Sequence, residues 1–246
     1  MSLAVTVLGC SGTYAAADNA CSGYLVQADG FSLLADCGPG SLSALQRHID
    51  LRDLDAIVLS HSHPDHWLEL PVLRNALLYV LGTGGIPVYG TEETLTLAEV
   101  VCHANLNAAF GWSTIHSDHE LRIGPLDVRF SRTQHPPETL AMRFDHGDDS
   151  VAYSADTGPG WSFAELGDGI DLAICEATYL HDERDRSAGM HLSATEAGEI
   201  GRSSGVGSLV LTHLVPGGVV EEYRREGTEA YGAPVDVATP GATFRP

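Results

Sequence analysis

The apolar run Ala56–Ser60 stops directly at His61-Ser62-His63-Pro64-Asp65-His66, and this junction constrains the fold more than any other feature of the chain. Three imidazoles and a carboxylate so close together cannot all be satisfied in a protein interior, because each brings polar atoms that need partners. Shared metal ligation satisfies them at once. Imidazole and carboxylate without thiolate suit zinc, with manganese or iron as alternatives. Four such groups in one loop exceed what a single tetrahedral ion with an open position draws from one segment, so two divalent ions are expected.

The pattern around this loop is of alternating strands and helices. Runs rich in Val, Leu and Tyr predict strands at Leu3–Leu8, Gly23–Gln27, Ser32–Asp36, Ala56–Ser60, Leu126–Arg132, Leu140–Phe144, Val151–Ala155, Leu172–Cys175, Ser208–Thr212 and Val235–Ala238. Helical periodicity falls at 66–81, 91–109, 162–167, 193–204 and 218–227. Alternation of this kind predicts an α/β class. No Ser-, Pro- or Gln-rich linker interrupts it, so one domain over residues 1–246 is expected. A weak internal echo accompanies the pattern. Ala56-Ile57-Val58-Leu59-Ser60 runs into His61 as Ser208-Leu209-Val210-Leu211-Thr212 runs into His213, and Ala35-Asp36-Cys37-Gly38 parallels Ala155-Asp156-Thr157-Gly158. Two related halves with polar residues where strands stop would form a sandwich with its chemistry along one edge.

Composition narrows the partners. The 33 acidic and 13 basic residues leave a net charge of −20, and every base is Arg. Such a field repels polyanions, so an extended phosphate backbone is disfavoured, whereas a ligand with one or a few phosphates is easier to accommodate. Cys10, Cys21, Cys37, Cys102 and Cys175 are odd in number and form no CxxC pair, which suits reduced thiols in the cytoplasm. The most apolar stretch, Leu70–Val80, is broken by Arg74 and Asn75 and is too short for a membrane span. No GxSxG occurs, and a Walker loop is impossible without Lys.

The HxHxDH string after a strand resembles the metallo-β-lactamase-fold hydrolases, which implies a four-layer αββα sandwich with pseudo-symmetric halves. That resemblance also implies further ligands downstream, and His135 in Thr133-Gln134-His135-Pro136, Asp156 in Ser154-Ala155-Asp156-Thr157-Gly158, and His213 after Leu211-Thr212 fill those places in order. By the resemblance, His61, His63, His135 and Asp156 hold one ion, and Asp65, His66, Asp156 and His213 the other. Two ions in such a site generate a bridging hydroxide near neutral pH and clamp the oxygens of an in-line displacement.

Within that fold, Cys175-Glu176-Ala177-Thr178 followed by Gly189-Met190-His191-Leu192-Ser193-Ala194-Thr195-Glu196 resembles the ribonuclease Z branch of phosphodiesterases, in which a Glu orients an additional, non-ligand His. Here those are Glu176 and His191, and with Asp65 they are the candidate catalytic residues. A carboxylate paired to imidazole favours imidazolium, which can neutralise charge on a phosphoryl oxygen or protonate a leaving alkoxide. Ser193-Ala194-Thr195-Glu196 independently reads as a capping box, placing His191 just before a helix N-terminus where anions are favoured.

Two departures from ribonuclease Z bear on the substrate. The stretch from His135 to Asp156 holds two strands and a Gly147-Asp148-Asp149 turn, leaving no room for that family's tRNA-gripping arm. The loop Gly12–Asn19 lacks its basic segment and keeps only Asn19, with Ser22 beyond. Leu8-Gly9-Cys10-Ser11-Gly12, Ala44-Leu45-Gln46-Arg47-His48 and the Glu176/His191 pair resemble actinobacterial-type proteins associated with cyclic-nucleotide phosphodiesterase activity. A phosphodiesterase for a small or cyclic nucleotide is therefore expected. The alternatives are a tRNA 3′-end endonuclease of the ribonuclease Z type, a lactone or thioester hydrolase of the same fold, and a non-catalytic nucleotide-binding protein stabilised by metal. The ribonuclease Z resemblance also implies a homodimer. His116-Ser117-Asp118-His119 reads as a surface loop, while Trp67, Leu68, Leu70 and Leu73 are core residues or line the pocket mouth.

Overall fold

Side chains along the strands alternate between two apolar environments, and this alternation builds the layers. A computed structural model describes residues 2–246. Val5, Val7, Tyr24, Val26, Leu33 and Val58 from one sheet meet Phe130, Met142, Phe144, Val151, Tyr153, Ile174 and Val210 from another in a buried inner layer. The residues between them point outward. Leu8, Leu25, Leu34 and Ile57 pack under helices carrying Leu42, Leu70, Leu73 and Ala98. Ala173, Cys175, Leu209 and Leu211 pack under helices carrying Ala194, Ala197 and Tyr223. The result is the expected αββα sandwich.

The first sheet runs in the order Thr243–Phe244, Ala4–Ser11, Gly23–Ala28, Phe31–Ala35, Ala56–Val58, Ile86–Gly90, Phe110–Thr114, with Ala20–Cys21 paired to Ala4–Ser11. The second runs Asp236–Val237, Ser208–Thr212, Leu172–Glu176, Asp149–Tyr153, Leu140–His146, Leu126–Arg132, Glu120–Ile123. Each is mixed in the same way. Phe31–Ala35, Ala56–Val58, Ile86–Gly90 and Phe110–Thr114 are parallel, as are Asp149–Tyr153, Leu172–Glu176, Ser208–Thr212 and Asp236–Val237. The carboxyl ends of these parallel runs lie along one edge of the sandwich, the place where open α/β sheets bind ligands.

Several elements differ from expectation. The helix expected over 66–81 is three pieces: Pro64–Trp67, Leu70–Asn75 and a π-helical Ala76–Leu81. Pro71 has no N–H and opens the second piece, while Cys37 accepts from Glu69 N and donates to His66 O, pinning the break to the first sheet. The helix expected over 91–109 is Glu92–Cys102 and ends where His103 turns left-handed at φ 51°. The edge strands Phe110–Thr114 and Glu120–Ile123 lay outside the expected set. Between His135 and Asp156 the chain forms the hairpin Leu140–His146/Asp149–Tyr153, turning at Gly147 with φ 62°. Trp67, Leu70 and Leu73 are buried in the core, and only Leu68 of that group is exposed.

Candidate metal centre

The ends of the parallel strands deliver the polar residues. Ala56–Val58 leads through Ser60 to His61, Asp149–Tyr153 through Ala155 to Asp156, and Ser208–Thr212 directly to His213. Two of these turns use backbone that L-residues rarely adopt: Ala155 has φ 52° and His213 φ 60°. Gly12 lies against the second of them, where a Cβ would come within 2.6 Å of the His213 carbonyl oxygen and 3.0 Å of its Nδ1. The loop beyond Ser11 thus closes on His213, and Thr13 N donates to Asp65 Oδ2 at 2.9 Å.

All seven side chains expected as ligands converge. His61, His63, His135 and Asp156 place donor atoms within 4.8 Å of one another, as do Asp65, His66 and His213. Asp156 stands between the groups: its Oδ2 lies 3.6 Å from His61 Nε2 and 3.8 Å from His135 Nε2, while its Oδ1 lies 3.3 Å from His66 Nε2 and 3.4 Å from His213 Nε2. A third grouping of Asp156, His191 and His213 meets the same distance limit.

The outward nitrogens of these histidines are committed. His66 Nδ1 donates to Asp36 Oδ2 at 2.7 Å, and His135 Nδ1 donates to the Met190 carbonyl at 2.9 Å. Their Nε2 atoms are therefore turned inward. His63 Nδ1 faces His135 Nε2 at 3.0 Å. Inside the cluster, His61 Nε2, His66 Nε2 and Asp156 Oδ1 are buried with no hydrogen-bond partner. Buried orphans converging on one space are costly unless a cation occupies it. The donor set, imidazole and carboxylate with no thiolate, fits divalent metals such as zinc.

The electrostatics divide the histidines. Burial, with His66 alongside, holds His61 well below its ordinary value, and burial likewise lowers His63 and His135. Burial also opposes a charge on His66, but Asp156, Asp36 and Asp65 outweigh it and raise that imidazole well above the ordinary range. For Asp156 burial is outweighed by His213 and His66, and for Asp65 by His66 and His213, so both carboxyls sit below the usual range.

Glu176 and His191 meet as expected, His191 Nδ1 donating to Glu176 Oε1 at 3.0 Å. Burial would lower His191, yet the charge and hydrogen bond of Glu176, with Asp156 behind, push it up to about 9. Its ring stacks on His213 at 5.5 Å between centroids, and its side chain is 18% exposed. Ser193 and Glu196 form the capping box of the helix Ala194–Ser203.

Four further residues escaped the sequence reading. Asp36, fully buried at φ 59°, accepts from Ser60 N, Ser60 Oγ, His66 Nδ1 and Tyr153 Oη. Ser60, Tyr153 and Thr178 complete this buried layer. The one signal in the sequence was the echo that set Asp36 opposite Asp156. His116 and His119 lie on an exposed turn with Glu138 3.5 Å from His116 Nδ1. Arg186 pairs with Glu183 and lies over Tyr179, while Arg184 donates to His181 O.

Comparison with known proteins agrees with this architecture. Residues 32–214 match the family described as the beta-lactamase superfamily domain. YhfI of Bacillus subtilis, described as a probable metallo-hydrolase, is 36% identical over 241 residues, covering 96% of this chain and 97% of that one. Its crystal structure superposes with a TM-score of 0.91 over the whole of both chains at 32% identity. Ribonuclease Z of Mycobacterium bovis is 27% identical over 267 residues, covering 96% and 95% of the two chains. The short form of human tRNase Z shares the fold, with a TM-score of 0.77, 19% identity and 98% coverage of each chain.

Proposed function

This chain belongs to the beta-lactamase superfamily, and from that premise we propose that it is a metal-dependent phosphodiesterase acting on a small or cyclic nucleotide. One observation carries the reading: beside seven converging ligand-type side chains, a buried carboxylate holds an additional imidazole, His191, by a hydrogen bond of 3.0 Å. Lactone or thioester hydrolysis gives that pair no comparable task. A phosphodiester, with a negative oxygen to neutralise and an alkoxide to expel, uses it directly.

In this reading His61, His63, His135 and Asp156 hold one divalent ion, and Asp65, His66, Asp156 and His213 a second, with zinc favoured by the donor types. When bound, such a pair supplies a water acidified to a pKa of about 7 and positive charge for phosphate oxygens. The chain's own residues do the rest. Asp36, the Met190 carbonyl and the buried hydroxyls hold the imidazoles with their Nε2 atoms inward. Asp65, 12% exposed, is fixed at the mouth by Thr13 N. His191, oriented by Glu176 through Nδ1, turns Nε2 toward a phosphoryl oxygen or the leaving oxygen and as imidazolium would donate to it.

Ribonuclease Z is among the relatives, but two features favour a compact substrate. The net charge of −20 opposes a polyanion, and the hairpin Leu140–Tyr153 is short where an RNA-gripping arm would be needed. We further propose that residues 1–246 act as one domain in the cytoplasm, with five free thiols, four of them buried, suited to reducing surroundings. The test is a product-analysed assay of metal-loaded protein against cyclic AMP, linear dinucleotides and precursor tRNA. A mononucleotide product from cyclic AMP or a dinucleotide is expected. Cleavage of precursor tRNA alone would replace this reading with the nuclease, and no turnover of any phosphodiester would remove it.

A further inference from the structure

Glu176 has two carboxylate oxygens, one reaching a histidine directly and the other reaching a second histidine through a hydroxyl. Oε1 accepts from His191 Nδ1 at 3.0 Å. Oε2 accepts from Thr178 Oγ1 at 2.7 Å, and that same hydroxyl lies 2.9 Å from His213 Nδ1. A threonine hydroxyl carries one proton, and an ionised carboxylate can only accept. Because Thr178 gives its proton to Glu176, the contact with His213 is satisfied only if His213 Nδ1–H donates to the hydroxyl oxygen. That leaves Nε2 as the atom turned to Asp65 Oδ2 and Asp156 Oδ1, both at 3.4 Å.

The other half of the sandwich repeats the device with different residues. Asp36 Oδ2 accepts directly from His66 Nδ1 at 2.7 Å and from Ser60 Oγ at 2.9 Å. Ser60 Oγ in turn lies 2.9 Å from His61 Nδ1. In each half, one buried carboxylate holds one imidazole directly and a second through a hydroxyl: Asp36 with His66 and Ser60–His61, Glu176 with His191 and Thr178–His213. The two differ in what the direct partner does. His66 faces into the cluster of ligand-type groups, whereas His191 stands beside it.

Resting on the function proposed above, we propose that Thr178 is a positioning residue: its hydroxyl sets the tautomer and orientation of His213, so that one carboxylate, Glu176, aligns both a metal-binding imidazole and the non-ligand imidazole His191. Thr178 is built to stay in place. It is 1% exposed, and its carbonyl accepts from Tyr223 Oη at 3.2 Å and from Val215 N at 3.4 Å. Its own N–H points at Glu176 Oε2 at 3.4 Å. These contacts fix the backbone of Thr178, and turning its hydroxyl away would break the contacts to Glu176 and His213.

Thr178→Val keeps the shape of the side chain and removes the relay, and Thr178→Ser keeps the hydroxyl. Two readouts on the full-length chain decide the matter. The first is the ¹⁵N spectrum of His213 in metal-free protein, which distinguishes a proton on Nδ1 from one on Nε2. The Val variant should lose the Nδ1–H signature, and the Ser variant should retain it. The second is stepwise zinc titration against a competing chelator. The Val variant should bind the ion served by His213 about 10–100-fold more weakly while the ion held by His61, His63 and His135 is unaffected, and the Ser variant should match the wild type. An unchanged His213 spectrum in a folded Val variant overturns the proposal, as does wild-type affinity at both positions. If the Val variant fails to fold, a Ser variant that loses the Nδ1–H signature overturns it equally, and one that keeps both signature and affinity supports it. Should the wild-type protein take up no second ion, the functional reading fails, and the tautomer measurement still decides the role of Thr178.

Discussion

Replacing Glu176 by Gln preserves the shape of a fully buried side chain and removes one charge. Five donors point at its carboxylate: Thr157 N at 2.7 Å, Thr178 Oγ1 at 2.7 Å, His191 Nδ1 at 3.0 Å, Leu192 N at 3.2 Å and Thr178 N at 3.4 Å. In the metal-free protein His191 is held at about 9 against an ordinary 6.5, a difference equivalent to about 3 kcal/mol in favour of imidazolium. Burial is the largest influence on His191 and lowers it. Glu176 is the largest of those that raise it, ahead of Asp156. Removing the Glu176 charge while leaving the burial should bring His191 to about 6.5 or below, so that at pH 7.5 the imidazolium fraction falls from about 97% to about 10%. The folded value lies above the unfolded one, so the pair stabilises the native state fully below about pH 6.5, and that contribution is lost as pH rises through about 9. The Gln variant should lose it at the acid end and show a flatter stability profile across this window. Histidine side-chain NMR and urea unfolding of metal-free protein, both followed from slightly acid to alkaline pH, measure the two effects. A Gln variant whose His191 still titrates near 9 would refute the assignment of the shift to Glu176.

Other outcomes follow from the same geometry. His191→Ala should lower kcat on a phosphodiester by about 10²–10⁴ with bound metal unchanged; metal loss on elemental analysis would make His191 a ligand, as its approach to Asp156 and His213 allows. Asp156→Ala removes the carboxylate that faces both groups of histidines, so metal analysis should find both ions lost or weakened, and retention of either at full affinity would contradict its shared position. A Cβ on Gly38 would collide with the Asp65 carbonyl oxygen and come 2.8 Å from Cys21 Cβ. Gly38→Ala should therefore cost about 1–3 kcal/mol in denaturant unfolding, and an unchanged midpoint would show that the loop carrying Asp65 is freer than its packing indicates.

The ligand-type residues were legible because they interrupt strong apolar patterns with groups that have no other use at a strand end. His61 through His66 form one contiguous string, and His135, Asp156 and His213 each follow a readable strand. The residues that aim them were not legible in this way. Ser60, Thr178 and Tyr153 are single hydroxyls among apolar neighbours, a pattern common to any strand terminus, and their role appears only when the chain brings Asp36 and Glu176 within reach. The layers followed from alternation in the central strands, where both faces are buried. The strands Phe110–Thr114 and Glu120–Ile123 lie at sheet edges with much of their side-chain surface in solvent, so the apolar signal is weak there. The broken helix after the metal-binding loop reflects a tertiary tie to Cys37 together with Pro71, and periodicity alone carries no trace of the tie.

The central claim is that seven side chains hold two cations which act together on a phosphodiester. Its most direct test is the turnover of bis-p-nitrophenyl phosphate measured as a function of ions bound per chain, with metal-free protein as the starting point. Turnover should be negligible until a second ion binds and should rise in step with its occupancy. Full activity with one ion bound, or none with two, would contradict that claim.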